Sequence, residues 1–291
     1  MMKFVFSVML LAAIAYLLIC LCLFFWQNRI IFLPSGEIER RPDALELSYE
    51  DIWLSVLSGQ GKLEKVHGWW IPASEPTNKV LLYLHGNGGN ISCNVGAAAR
   101  FQQTGFSVLL IDYRGYGRSQ GHFPTELEIY RDALAAWDYL IEQRQVKAED
   151  IFIYGHSLGA AVGLELAIAK PTAAGVIMEN AFTSIKAIAE NRALYRIFPL
   201  NLILTQRFDN LSKLEHLQIP LFVVYGLLDR TVPPKMGEML YQKAKVPKKR
   251  LIVPDAGHND VGAVAGQAYE EALETFIDLA RRNQQQKIET L

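Results

Sequence analysis

Apolar positions along the chain fall into three patterns. The first is one unbroken run over residues 4–26, FVFSVMLLAAIAYLLICLCLFFW, which holds no charged residue. As a helix it would reach roughly 34 Å, the thickness of a bilayer's hydrocarbon. The second is a series of short runs at 66–71 (VHGWWI), 80–84 (VLLYL), 106–111 (FSVLLI), 151–154 (IFIY), 175–178 (GVIM), 221–225 (LFVVY) and 251–253 (LIV). Most are continuously apolar instead of alternating, as expected for strands covered on both faces. The third is a 3.6-residue periodicity near 94–103, 126–143, 158–169, 235–244 and 264–282, which predicts helices between the strands. This alternation predicts an α/β fold: a mostly parallel sheet with helices on both faces. The rhythm breaks between Met178 and Leu221, where RIFPLNLILTQRF at 196–208 predicts a small helical cap insertion over about 181–217.

The chain therefore divides into an N-terminal transmembrane anchor (1–26), a connector (27–51) broken by Pro34, Gly36 and Pro42, a catalytic-size domain (52–282) and a polar tail (283–291). A cleaved signal peptide would show an apolar stretch of about 7 to 15 residues ending in small residues. Here the run ends in Phe24, Phe25 and Trp26, which suit a membrane interface, and the LLI before Cys20 lacks the small residue expected ahead of a lipid-modified cysteine. The reading is an uncleaved single-pass anchor. Lys3 flanks the run on one side and Arg29, Arg40 and Arg41 on the other, so the positive-inside rule leaves the side of the membrane open.

Charge narrows the partners. Lys plus Arg total 29 against 30 for Asp plus Glu, so no basic field exists to hold nucleic acid, and membrane association must come from the apolar anchor. Of the three cysteines, Cys20 and Cys22 lie in the anchor and Cys93 stands alone, which excludes a disulfide framework or a cysteine-rich zinc site.

Open parallel sheets bind ligands beyond the carboxyl ends of their strands, so the residues after each apolar run are the candidates for chemistry. Gly155-His156-Ser157-Leu158-Gly159 follows IFIY and opens a helical pattern. A serine on a tight strand-to-helix turn needs minimal neighbours two residues to either side, and both are glycine. A hydroxyl nucleophile needs a base and an acid to orient it. His258 follows the last apolar run and Asp229 follows LFVVY, both on the same sheet edge as Ser157. Glu179, also at a strand end, is the alternative acid. His67 in a strand, His122 after a turn and His216 in the insertion read as packing or surface residues, and His156 should point away from the serine. Asp112 is read as holding the DYRGYGRS turn. The HGNGGN stretch after VLLYL can supply a backbone N–H to a developing oxyanion, with Asn87 and Leu158 as the donors and Gly88 as the alternative.

With HGNGGN, DYRGYGRS, GHSLG, GLLDRTVP and AGHND in this order, the chain resembles the α/β-hydrolase superfamily, and within it the membrane-anchored hydrolases of the Bem46 and ABHD13 type, related to serine aminopeptidase-like (S33) domains. The resemblance runs over about 30–280. It implies Ser157 as nucleophile, Asp229 as acid and His258 as base, with no metal or organic cofactor. The expected activity is a membrane-tethered serine hydrolase acting on an ester or thioester, with a small molecule, lipid or acylated protein as substrate. The alternatives are an S33-like peptidase and a non-catalytic binding scaffold of the same fold.

Overall fold

The computed structural model describes residues 1–59 and 61–289; the end of the expected polar tail, 290–291, lies outside the described residues. The apolar run is helix α1 (Met2–Ile31), most of whose side chains stand clear of the domain. It is the one helix among the described residues long and apolar enough to cross a membrane. It runs to Ile31 instead of stopping at Trp26, and Gln27 and Ile31 are buried against the domain.

Two strands of minimal length, β1 (Leu33–Pro34) and β5 (Gly88–Gly89), pair in parallel and join the segment after α1 to the HGNGGN loop. The main sheet holds β2 (Glu50–Leu57), β3 (Leu63–Ile71), β4 (Val80–Leu84), β6 (Ser107–Ile111), β7 (Ile151–His156), β8 (Gly175–Glu179), β9 (Leu221–Gly226) and β10 (Lys248–Val253), in the order β10-β9-β8-β7-β4-β6-β3-β2. Only β3 runs antiparallel to its neighbours, β2 and β6. The helices are α2 (Val95–Gln103), α3 (Glu126–Glu142), α4 (Leu158–Ala169), α5 (Ile185–Glu190), α6 (Leu200–Ile203), α7 (Asn210–Lys213), α8 (Pro234–Lys243), α9 (Val261–Ala265) and α10 (Gln267–Glu289).

Side chains alternate across the central strands. Leu82, Leu84, Ile153, Val176 and Val223 pack with α3, α4 and α8, whereas Leu81, Tyr83, Phe152, Ile177 and Phe222 pack with α2, α9 and α10. Both faces are buried, which is why these strands read as continuous apolar runs.

Three expectations need correction. β2 lies within residues assigned partly to the connector; it is an edge strand whose burial alternates along EDIWLSVL, leaving Trp53 and Leu57 exposed within the apolar stretch 52–57. The helix expected over 264–282 is two helices, because Gly266 takes a positive φ of 50° between α9 and α10, and α10 continues through the expected tail to Glu289. Asp112 holds the DYRGYGRS turn only through its carbonyl, which accepts from Ser119 Oγ at 3.4 Å. Its Oδ1 accepts the Ile91 N–H at 2.9 Å and so braces the HGNGGN loop. The turn is also held by buried Arg114, whose backbone N–H and guanidinium both donate to Asp132 on α3. The cap region is helical as expected, built from α5, a 3-10 turn at Ala193–Ile197, α6 and α7.

Candidate active site

Four loops converge at the carboxyl edge of strands β4, β7, β9 and β10, with β8 lying between β7 and β9. Ser157 occupies the turn between β7 and α4 with φ 54° and ψ −112°, a conformation costly for a residue with a side chain. The turn is pinned from both sides. The Ser157 N–H donates to the Glu179 carbonyl at 2.9 Å, and the Ser157 carbonyl accepts from Ala160 at 3.1 Å. A Cβ on Gly155 would strike the Gly159 carbonyl, and one on Gly159 would strike the carbonyls of Leu84 and His85. The two glycines let α4 start directly against the ends of β7 and β4.

Ser157 Oγ lies 3.0 Å from His258 Nε2, and His258 Nδ1 lies 2.7 Å from Asp229 Oδ2. With the Nδ1 proton held toward the carboxylate, Nε2 is left to accept the serine O–H. The other oxygen of Asp229 accepts the N–H groups of Thr231 and Val232, each at 2.8 Å, so the carboxylate is fixed in orientation and only 6% exposed. Glu179, the alternative acid, is turned elsewhere. Its Oε2 accepts the Tyr269 hydroxyl at 2.9 Å on the far side of the sheet.

Asn180 and His156 locate the loop carrying His258. Asn180, in the left-handed region at φ 47°, donates from Nδ2 to the His258 carbonyl at 2.6 Å and accepts the Gly226 N–H at 3.1 Å. His156 points away from the serine hydroxyl as expected, and its Nε2 sits 2.8 Å from the same His258 carbonyl. Asparagine tolerates the left-handed region better than other non-glycine residues, so an Asn closing a strand was the available signal.

Asn87, Ser157 and Leu158 line one cavity. As the first residue of α4, Leu158 has no acceptor for its N–H within the helix, and the positive end of the helix dipole lies at Ser157. Asn87 is held by three bonds: its side chain donates to the Ile31 carbonyl at 3.0 Å, and its carbonyl accepts from Leu33 N–H at 2.9 Å and Tyr116 Oη at 2.8 Å. Gly88 stands opposite Leu33 in the register of the β1–β5 ladder. The cavity encloses about 200 Å³. Its walls are largely apolar, from Phe182, Ile185 and Ile188 on one side to Leu23, Ile30 and Ile31 of α1 on the other.

A model of the serine aminopeptidase S33 family matches residues 75–212. An uncharacterized protein of Mycobacterium tuberculosis, Rv2307c, is 31% identical over 258 residues, covering 88% of this chain and 89% of that one. An α/β hydrolase domain-containing protein of Arabidopsis thaliana, WAV2, is 28% identical, covering 87% and 88% respectively. The chain belongs to the α/β-hydrolase superfamily. Solved α/β-hydrolase structures share the fold: the esterase Pf2001 of Pyrococcus furiosus superposes with a TM-score of 0.68 at 20% identity, covering 84% of this chain and 98% of its own. An acylaminoacyl peptidase of Pyrococcus horikoshii superposes at 0.62 and 17% identity, over 80% of this chain and 42% of its own.

Two imidazoles beside this hydrolase site, His85 and His156, are both pushed below the ordinary 6.5, first by desolvation. His85 donates from Nδ1 to the Gly86 carbonyl at 2.7 Å, a role the neutral ring fills. Below about pH 6.5 the unfolded chain binds protons at these positions that the folded chain refuses, so their contribution to stability is full above that pH and declines as pH falls from 6.5 toward the folded values. The melting temperature, measured by circular dichroism, is therefore expected to drop between pH 7 and pH 5. A flat profile over that window would contradict the neutral state of both rings.

Proposed function

We propose that the protein is a membrane-tethered serine hydrolase that cleaves acyl esters or thioesters through an acyl-enzyme intermediate. The observation that carries this reading is the hydrogen-bonded chain from Ser157 Oγ through His258 to Asp229 at the floor of an apolar cavity. His258 Nε2 takes the proton as Ser157 Oγ bonds to the acyl carbon, and Asp229 steadies the imidazolium. The tetrahedral oxyanion is held by the N–H groups of Asn87 and Leu158 at the positive end of α4. As the carbon–oxygen or carbon–sulfur bond to the leaving group breaks, His258 returns the proton to the departing alcohol or thiol. Water then repeats the sequence: it loses a proton to His258, bonds to the acyl carbon and releases the carboxylic acid as Ser157 recovers its proton. The tether is α1, whose exposed apolar surface has no other cover.

The cavity lining favours an ester over an aminopeptidase substrate. A free α-amino group needs a carboxylate to meet it, and among the described lining residues there is none; the charged residue present is Arg192. Turnover of p-nitrophenyl butyrate is expected, with negligible cleavage of amino-acid p-nitroanilides and with both rates at background in Ser157→Ala. Faster cleavage of the anilides than of the ester would reverse the assignment.

A further inference from the structure

The C-terminal half of α1 turns one stripe, Tyr16, Leu23, Gln27 and Ile30, toward the cap at helical spacing. Tyr16 Oη donates to the Ile197 carbonyl at 2.7 Å and its ring stacks on Phe198 with centroids 5.8 Å apart. Buried Gln27 donates to the Ile203 carbonyl at 3.1 Å and accepts the N–H groups of Thr205 at 2.8 Å and Gln206 at 3.2 Å. From Tyr16 to Gln27 the cap follows roughly 16 Å of helix axis. Most of that length lies inside the apolar run, so once α1 spans a bilayer the cap edge sits at hydrocarbon depth. The residues exposed on that edge agree: Leu194, Ile197 and Leu202 are 68%, 63% and 79% exposed. Between cap and helix lies the cavity that ends at Ser157, with Leu23, Ile30 and Ile31 as its membrane-side wall. An outer apolar groove along Ile19, Cys22 and Trp26 shares the Leu23 and Ile30 walls.

We propose that α1 is a wall of the substrate site as well as a tether, and that the cavity takes the long acyl chain of a membrane lipid ester sideways from the bilayer to Ser157. This rests on the reading of Ser157 as the nucleophile, and the bond changes are those given above, with the lipid alcohol as the leaving group. An apolar chain sliding between α1 and the cap stays out of water along its whole path, whereas a water-soluble substrate would gain nothing from a helix wall that begins inside the membrane. The same contacts also fix the oxyanion loop to the helix end, through the bond from Asn87 to the Ile31 carbonyl.

The test uses the full-length protein in phosphatidylcholine nanodiscs, with dioleoylglycerol as the lipid substrate and p-nitrophenyl acetate as the water-soluble one. The readout is the ratio of the two kcat/KM values, which cancels any loss of folded protein. Leu23→Trp, and separately Ile188→Trp on the cap wall, are expected to lower the lipid-to-acetate ratio at least tenfold, because filling a close-fitting apolar site by even one group costs about that much. Leu21→Trp, on the opposite side of α1, is expected to keep the ratio within twofold. An unchanged ratio in both cavity variants would overturn the inference, as would hydrolysis of an S-palmitoyl peptide in the same discs without hydrolysis of dioleoylglycerol. Acetate turnover and Ser157 labelling that persist in those cases leave the serine-hydrolase reading standing. Their absence in the wild-type protein would overturn both.

Discussion

Replacing His258 with alanine is expected to lower kcat for a short acyl ester by on the order of 10⁶, with much less effect on KM. The imidazole is the only base within hydrogen-bonding distance of Ser157 Oγ among the described residues. The nearest other ring, His156, is committed to the His258 carbonyl and held neutral by desolvation. Without His258 the serine proton has no acceptor and the hydroxyl is a weak nucleophile. Asp229 acts through that ring, so Asp229→Asn is expected to cost less, roughly 10⁴. Steady-state turnover of p-nitrophenyl butyrate measures both. A loss below about a hundredfold in His258→Ala would mean that another group takes the proton.

Gly159→Ala is expected to have the largest effect on stability. Its new methyl would meet the carbonyls of Leu84 and His85, which belong to the end of β4 at the centre of the sheet. β4 is hydrogen-bonded on one side to β6 and on the other to β7, and the His85 carbonyl just beyond it accepts from Tyr113 Oη at 3.0 Å, so neither carbonyl can retreat without disturbing these bonds. A clash with fixed backbone exceeds the usual 1–3 kcal/mol of overpacking, and a loss above about 4 kcal/mol is expected out of a total stability of roughly 5–15 kcal/mol. For a domain of this size that is a drop of about 8 °C or more in melting temperature, or no soluble protein. A change of under 2 °C would show that the turn has room the geometry denies.

The strands with both faces buried, the order of the loops and the glycines around Ser157 were legible because each leaves a local mark: a continuous apolar run, a turn residue, a spacing. β2 is marked less sharply: Ile52-Trp53-Leu54 and Val56-Leu57 are apolar, but Glu50, Asp51 and Ser55 interrupt the strand, and Trp53 and Leu57 face outward at the sheet edge. The roles of Asn180 and Gln27 were not legible. Each closes a contact between segments far apart in sequence, Asn180 with the His258 loop and Gln27 with the cap, and a single polar residue carries no sign of its distant partner. The same holds for α1. Composition marks it as a run long and apolar enough to cross a membrane, but that its Leu23 and Ile30 form a wall of the cavity beside Ser157 depends on how the cap folds back onto it. Glu179 and Asp229 both end strands and are equivalent by position. The bond from Tyr269 to Glu179 and the bond from His258 to Asp229 separate them.

An activated Ser157 is open to covalent trapping. The full-length protein in detergent micelles is treated with a fluorophosphonate and digested, and the adduct is located by mass spectrometry. A single stoichiometric adduct on Ser157 that disappears in Ser157→Ala is expected. An adduct on a different serine, or no adduct on a folded preparation, would contradict it.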